Sequence, residues 1–163
     1  MANNSAALLI GDYPQLPREL WASFVQSGLV EHVLVFSSVD DLTDAIESDV
    51  QSVELDVKLI FFLVEGPEDL STPIDLKLHA TLSRVPLIAF HSADADITNT
   101  DIQTLYERRV SSVIKLPLKF QDLGQLVLQL DRYWSVGKLP ECQLSLPKES
   151  IFTPRNGSGQ AGA

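Results

Sequence analysis

The stretch KLIFFLVEGPED, residues 58–69, decides how the rest of the sequence is interpreted. Apart from Lys58, every residue as far as Val64 is apolar, and Gly66 and Pro67 follow directly after Glu65. A short apolar run that stops at glycine and proline is typical of a strand covered on both faces of a parallel sheet. We therefore predict a buried strand over residues 58–64.

Four further apolar runs share this character: AALLI (6–10), HVLVF (32–36), VPLIAF (85–90) and SSVIKL (111–116). A stretch with helical spacing follows each of the five runs. Strands that alternate with helices predict a parallel sheet with right-handed crossovers. The fold class is therefore α/β, a flavodoxin-like three-layer sandwich with a five-stranded parallel sheet in the order 2-1-3-4-5.

The helices are predicted from apolar residues that recur every three or four positions. In chain order these positions are Leu16, Leu20 and Phe24; Leu42, Ala45 and Ile46; Ile74, Leu78 and Leu82; Ile102, Leu105 and Tyr106; and Leu123, Leu126, Val127, Leu130 and Trp134. Gly28 is predicted to end the first helix, and the SSVDD segment to cap the second. Residues 51–57 give no clear prediction.

Length and composition limit the possibilities further. The chain of 163 residues suits one domain over 1–140, and the Pro-, Gly- and Ser-rich segment 141–163 is predicted to be a flexible tail. A net charge of −10 argues against nucleic acid as a partner, and no run approaches the ~20 apolar residues of a membrane span. Cys142 is the single cysteine, which fits a reducing, cytoplasmic location.

Working sites of open α/β sheets lie at the carboxyl ends of the strands. Those ends and the last helix resemble the receiver domains of bacterial response regulators, above all the small stand-alone receivers that partner phytochrome-type kinases. The resemblance rests on LLIGDYP (8–14), VPLIAFHSADAD (85–96), IKLPLKFQDL (114–123) and DRYWSVGKLP (131–140). It implies a CheY-like fold, two-component signalling and a partner that is a histidine kinase or another regulator.

The same resemblance implies that the phosphorylation pocket is degenerate. The acidic pair that holds Mg²⁺ in receivers falls on Gly11 and Asp12, so one carboxylate is missing. The phosphoacceptor aspartate falls on Leu63, which has no group to phosphorylate. Phosphoryl transfer needs a carboxylate nucleophile and a metal that offsets charge. The chain is therefore predicted to be a pseudo-receiver without enzymatic activity, and no cofactor is expected.

The other three functional positions also depart from the family pattern. The hydroxyl residue at the end of strand four falls on His91, and the aromatic residue of strand five falls on Val113. The lysine that precedes a proline in receivers falls on Leu116, and Pro117 follows it. Lys115 lies one position early, and a shift of one residue in a strand turns a side chain to the opposite face. Lys115 is therefore a poor substitute for the missing lysine.

Two alternatives come from the residues themselves. The HSADAD loop brings His91, Asp94 and Asp96 close in sequence, and together with Asp12 they suggest a cleft that binds a divalent metal or a small ligand. A small enzyme on the same fold is the other alternative. It has less support, since the chain lacks a G-x-S-x-G nucleophile elbow.

A protein-binding surface is predicted where the fourth helix, fifth strand and fifth helix meet. The candidate residues there are Arg108, Arg109, Lys115, Lys119 and Trp134. Four cations within twelve positions stand out in so acidic a chain. In receivers this face commonly forms dimers or docks output domains, so the resemblance implies a partner or a second copy of the chain at this surface.

Overall fold

The sheet has the predicted strand order. The computed structural model describes residues 4–48, 52–116, 120–136 and 142–154, without the side chains of 120, 121 and 133–136. Five parallel strands follow the order β2-β1-β3-β4-β5, and a sixth strand pairs antiparallel with β3. The strands are β1 (Ser5–Ile10), β2 (His32–Phe36), β3 (Ser52–Val64), β4 (Leu87–His91), β5 (Ser112–Lys115) and β6 (Gln143–Pro147).

In the described part of the chain, four α-helices connect successive parallel strands: α1 (Leu16–Leu20), α2 (Val39–Glu47), α3 (Thr72–Lys77) and α4 (Asn99–Glu107). A fifth, α5 (Phe120–Val136), follows β5 and precedes β6. A π-helical segment, Trp21–Val25, extends α1. The turn that follows it closes at Gly28, whose φ of +81° is the left-handed conformation typical of a residue that ends a helix. The Ser38 hydroxyl accepts the Asp41 amide at 3.1 Å and caps α2, as predicted. No helix in the described ranges is long and apolar enough to cross a membrane.

The sheet separates two apolar cores. Successive residues of a strand point to opposite faces, and β3 shows this directly: Phe61 belongs to the cluster under α1 and α5, and Phe62 to the cluster under α2, α3 and α4. Phe61 also contacts two other rings, Phe24 edge-on and Phe90 stacked, each with centroids 5.3 Å away. Helices thus cover both faces, which confirms the three-layer sandwich.

Strand β3 is longer than predicted and changes character along its length. Its second half, which includes residues 59–64, is buried on both faces between β1 and β4. Its first half alternates between buried residues such as Leu55 and Val57 and more exposed ones. The register shifts by one residue at Lys58, which forms an ion pair of 2.7 Å with Asp56. This alternation is the pattern of an antiparallel strand with one face in solvent, and it explains why residues 51–57 gave no prediction.

The expectation of a flexible segment over 141–163 is wrong for residues 142–154. Leu144 and Leu146 of β6 are buried against α2 and the first half of β3. Farther along, Ile151 bridges to Leu34 on the outer edge of the sheet, and the Phe152 amide donates to Val33 O at 2.7 Å. The alternating QLSLP pattern carried the strand signal, but its surroundings of Pro, Lys and Glu obscured it.

The third helix is shorter than predicted and presents a different face. Leu76 packs into the core, whereas Ile74 and Leu78 are 45% and 80% exposed. Leu82 is buried, but it belongs to a separate 3₁₀ turn. The predicted spacing of four residues was therefore real, but it marked the solvent side of α3 for two of its three members.

Truncating a buried side chain of β6 tests whether this strand is part of the folded domain. We expect Leu146→Ala to lower the free energy of unfolding by about 2–5 kcal/mol, because it leaves a cavity in the core. The neighbouring Ser145 is exposed, and Ser145→Ala should change the same quantity by less than about 0.5 kcal/mol. Chemical denaturation of both variants measures the difference. Equal stabilities would contradict the placement of β6.

Candidate functional site

A crevice of about 240 Å³ opens at the carboxyl ends of β1 and β3. The strand order reverses between these two neighbours, and open α/β sheets bind ligands at that position. Ile10, Gly11, Phe62 and Leu63 line it from the strand ends. Ser37–Asp40 and the segment after β3 line it from the loops and helix starts. Of the six residues predicted for a degenerate pocket, only Gly11 and Leu63 line this crevice.

Gly11 and Leu63 are in unusually close contact. Gly11 has a φ of +132°, a backbone conformation that residues with a side chain rarely adopt. A Cβ added at Gly11 would lie 2.6 Å from the Leu63 Cβ, too short for any real contact. The Gly11 amide also donates to Phe36 O at 2.9 Å, which fixes the backbone here. With this backbone, position 11 has no room for a carboxylate.

Leu63 and Leu116 belong to the same buried cluster, below α1 and α5. They are 8% and 1% exposed, and the Leu116 amide donates to His91 O at 2.7 Å. Lys115 lies beside His91 in the β4–β5 register and is exposed. Leu63 and Leu116, the residues predicted to replace the acceptor aspartate and the lysine of receivers, are thus both buried, whereas Lys115 is exposed to water.

Asp12 and His91 are not assembled into a metal site. Asp12 is exposed, and the Nδ1 of His91 lies 3.1 Å from Ser92 O, which accepts a hydrogen bond when that nitrogen carries the proton. Among the described residues no three His, Cys, Asp or Glu side chains are grouped to hold a metal ion. The loop after β4 instead supports the loop after β3, since the Asp96 amide donates to Glu65 O at 3.0 Å.

The crevice has an acidic lining that the sequence analysis missed. Its carboxylates are Asp40 at the start of α2, Glu68 and Asp69 after β3, and Asp75 in α3. Asp69 is partly engaged, because its Oδ2 accepts the Glu65 amide at 2.9 Å. The acidic residues of SSVDD and GPED both follow strands, so the sequence does contain a signal for this lining. SSVDD also has the composition of a helix cap, which accounts for its residues without a site.

On the predicted protein-binding face, Arg108 has a structural role. Its guanidinium donates to Leu70 O at 2.5 Å, and its own carbonyl accepts Lys77 Nζ at 2.5 Å. Burial and then the Arg109 charge lower the pKa of Lys77. Arg109 and Lys115 are exposed, while Lys119 and the side chain of Trp134 lie outside the described residues.

Strand β5, on the same face, has one edge without a partner strand in the described residues. The Tyr106 hydroxyl accepts the Val113 amide of β5 at 3.1 Å, and Tyr106 is 49% exposed. An aromatic side chain from α4 therefore contacts the backbone of Val113, the residue predicted to replace the strand-five aromatic of receivers.

Solved receiver structures share this fold. A response regulator receiver domain from Rhodospirillum rubrum aligns with a TM-score of 0.60 at 16% identity, covering 84% of this chain and 98% of that one. The phosphorylated cyanobacterial phytochrome response regulator RcpA aligns with 0.62 at 18%, covering 85% and 99%. The beryllofluoride-activated NtrC4 receiver domain dimer aligns with 0.57 at 11%, covering 78% of this chain and 98% of that one.

The chain therefore has the receiver fold, as the sequence predicted. At these identities the likeness concerns the fold alone. The chain matches no protein-family model, and no curated protein matches it.

Alanine scanning of two glycines tests the contact between Gly11 and Leu63. We expect Gly11→Ala to lower the free energy of unfolding by about 2–5 kcal/mol, from the positive φ and the overlap with Leu63. Gly124 lies inside α5 with nothing within 4 Å of its would-be Cβ. Gly124→Ala should raise the same quantity by about 0.5–1 kcal/mol. Thermal and chemical unfolding check both signs, and a neutral Gly11→Ala would contradict the close contact.

Proposed function

We propose that this protein is a receiver-like domain of two-component signal transduction that acts by protein–protein contact and takes up no phosphoryl group. Its partner is a histidine kinase or another regulator, and it works in the cytoplasm as a constitutive adaptor or a dimerisation module. It is not an enzyme on this proposal. The fold likeness to receivers supports the signalling class, and the residues at the strand ends support the absence of phosphoryl chemistry.

The observation that carries the proposal is the apolar contact at the ends of β1 and β3. A phosphorylation site needs an aspartate, a metal held by carboxylates and a cation for the phosphoryl oxygens. The corresponding positions here are Leu63, Gly11 and Leu116, two of them buried and the third without room for a side chain. Asp12 alone is a weak ligand set for Mg²⁺, which favours several oxygen ligands.

The interaction surface proposed for this role is the exposed part of α4, β5 and the described side chains of α5. Arg109 and Lys115 supply positive charge there, and Leu128 adds an apolar side chain that is 54% exposed. Arg108 contributes by holding the end of α4 against the segment before α3. Lys119 and Trp134 stay predictions for this surface. A dimer through this face is part of the proposal, and a receiver dimer of the same fold is known for NtrC4.

Intact mass after incubation with acetyl phosphate and Mg²⁺ tests the chemistry. We expect an unchanged mass, because the described pocket offers no carboxylate at position 63 and no adjacent lysine at 116. A receiver with a complete acidic pocket serves as the positive control. A gain of one phosphoryl group would overturn the proposal, and mapping it would identify the residue that replaced the acceptor.

A second experiment asks whether the missing aspartate alone prevents phosphorylation or whether the rest of the pocket prevents it as well. Leu63→Asp restores the carboxylate but leaves Gly11 and Leu116 in place. We expect this variant to stay unphosphorylated in the same assay and to be less stable than wild type, because the site of the new charge is 8% exposed. Phosphorylation of Leu63→Asp would show that the rest of the pocket still functions.

Light scattering over a concentration series tests the proposed dimer. Arg109→Glu reverses an exposed charge at the end of α4, and we expect it to raise the dimer dissociation constant by about tenfold. Arg84→Glu, an exposed cation in the turn before β4, is the matched control and should leave it unchanged. A wild-type protein that stays monomeric would contradict the dimer, and equal effects of both variants would contradict the surface.

A further inference from the structure

Helix α3 presents an exposed apolar stripe to solvent. Ser71 and Leu78 flank the helix with α-helical backbone angles, so helical spacing holds from 71 to 78. Ser71, Ile74, Asp75 and Leu78 are spaced i, i+3, i+4 and i+7, which places them on one face. All four are exposed, whereas Leu76 is fully buried on the other face. Ile74 and Leu78 therefore form a two-residue apolar surface.

This surface is unusual within the described part of the chain. Four large hydrophobic side chains are strongly exposed there, and two of them, Ile74 and Leu78, lie one helical turn apart. Covering such side chains removes apolar surface from water and so favours association. Isolated exposed apolar side chains are ordinary, but two neighbouring ones beside a concave site indicate a surface that a partner protein covers.

The acidic crevice is continuous with this stripe. Ser71 and Asp75 belong to both, and Asp40, Glu68 and Asp69 bring further carboxylates to the crevice. Among the described residues that line the crevice, none is Lys, Arg or His. The nearest cation in the helix, Lys77, donates to Arg108 O and is therefore directed toward α4. An apolar stripe thus borders a groove whose negative charge no lining residue offsets.

We propose that the stripe and the crevice together dock a basic amphipathic helix of a partner protein. Apolar side chains one turn apart would cover Ile74 and Leu78, and Lys or Arg side chains of that helix would reach the carboxylates of the crevice. This is the helix-in-groove mode, in which anchors at helical spacing give affinity and charge complementarity gives specificity. The proposal deepens the proposed function, since it rests on a binding role and gives the partner a chemistry.

Charge complementarity selects this occupant over others. An anionic lipid surface or a nucleic acid would meet the carboxylates of the crevice and be repelled. A second copy of the chain in a two-fold contact would place the same patch on itself, with Asp75 facing the acidic groove of its partner. A basic partner gains from both parts of the site at once.

Binding of two labelled synthetic peptides tests the proposal on the full-length protein. The probe is a fluorescein-labelled helical peptide with leucine and lysine at amphipathic spacing, and its counterpart replaces each lysine with glutamate. Fluorescence anisotropy should detect the lysine peptide only. Leu78→Ser should weaken its binding by about tenfold. Leu78→Met, which keeps an apolar side chain of similar volume at the same position, should leave binding nearly unchanged.

The charged part of the site has its own matched pair. Asp75→Asn should weaken binding of the lysine peptide by about two- to fivefold and make it less dependent on salt. Glu31→Gln, an exposed acid just before β2 at the opposite end of the sheet from the crevice, should do neither. Each substituted side chain is exposed, so circular dichroism should show the same fold for all four variants.

Three results would overturn the proposal. If Leu78→Met or Glu31→Gln weakens binding as much as the variant with which it is paired, the peptide does not recognise the stripe and the crevice specifically. If both peptides bind equally, the carboxylates play no role. If light scattering shows a dimer that Leu78→Ser dissociates, the stripe is an interface between copies. The phosphodonor experiment is independent, so failure here leaves the absence of phosphoryl chemistry standing.

Discussion

The central strand β3 is paired along both edges and covered by helices on both faces, and this double burial constrains every residue near its carboxyl end. Because side chains alternate, Phe61 and Leu63 point toward α1 and α5, and Phe62 points toward α2, α3 and α4. Phe61 anchors a group of three aromatic rings. Leu63 continues that apolar face to the carboxyl end of β3, so this end of the sheet is part of the core.

The same packing restricts which side chains positions 11 and 116 can hold. The backbone of Gly11 approaches the Leu63 Cβ so closely that a carboxylate at position 11 would have no space. Leu116 completes the same cluster with 1% exposure, and a lysine there would place its charge at a buried position unless it reached solvent. Leu63 thus packs against the Gly11 backbone and shares a buried cluster with Leu116, so these three positions belong to one packing arrangement.

The sequence predicted the parts of the fold that depend on strong, local patterns. Continuous apolar runs predicted the five parallel strands and their order, and Ser38 and Gly28 predicted two helix ends. It failed where long-range pairing decides the outcome: β6 is stable because β3 extends to meet it, and nothing in residues 142–147 alone reveals that partner. The acidic crevice was missed for the same reason, since its carboxylates come from two separate segments, at α2 and from the end of β3 through α3.

On the proposed function this domain takes up no phosphoryl group, so it would need another source of free energy to change shape. Any shift between two conformations then equals the difference in a partner's affinity for them. Three hydrogen-bonded contacts hold neighbouring segments together in this structure: Arg108 with Leu70, Lys77 with Arg108, and Asp96 with Glu65. Each joins the segment after β4 to the segment after β3. A partner bound at α3 would act on the same segment, so its contact with Ile74 and Leu78 and these internal hydrogen bonds would be coupled.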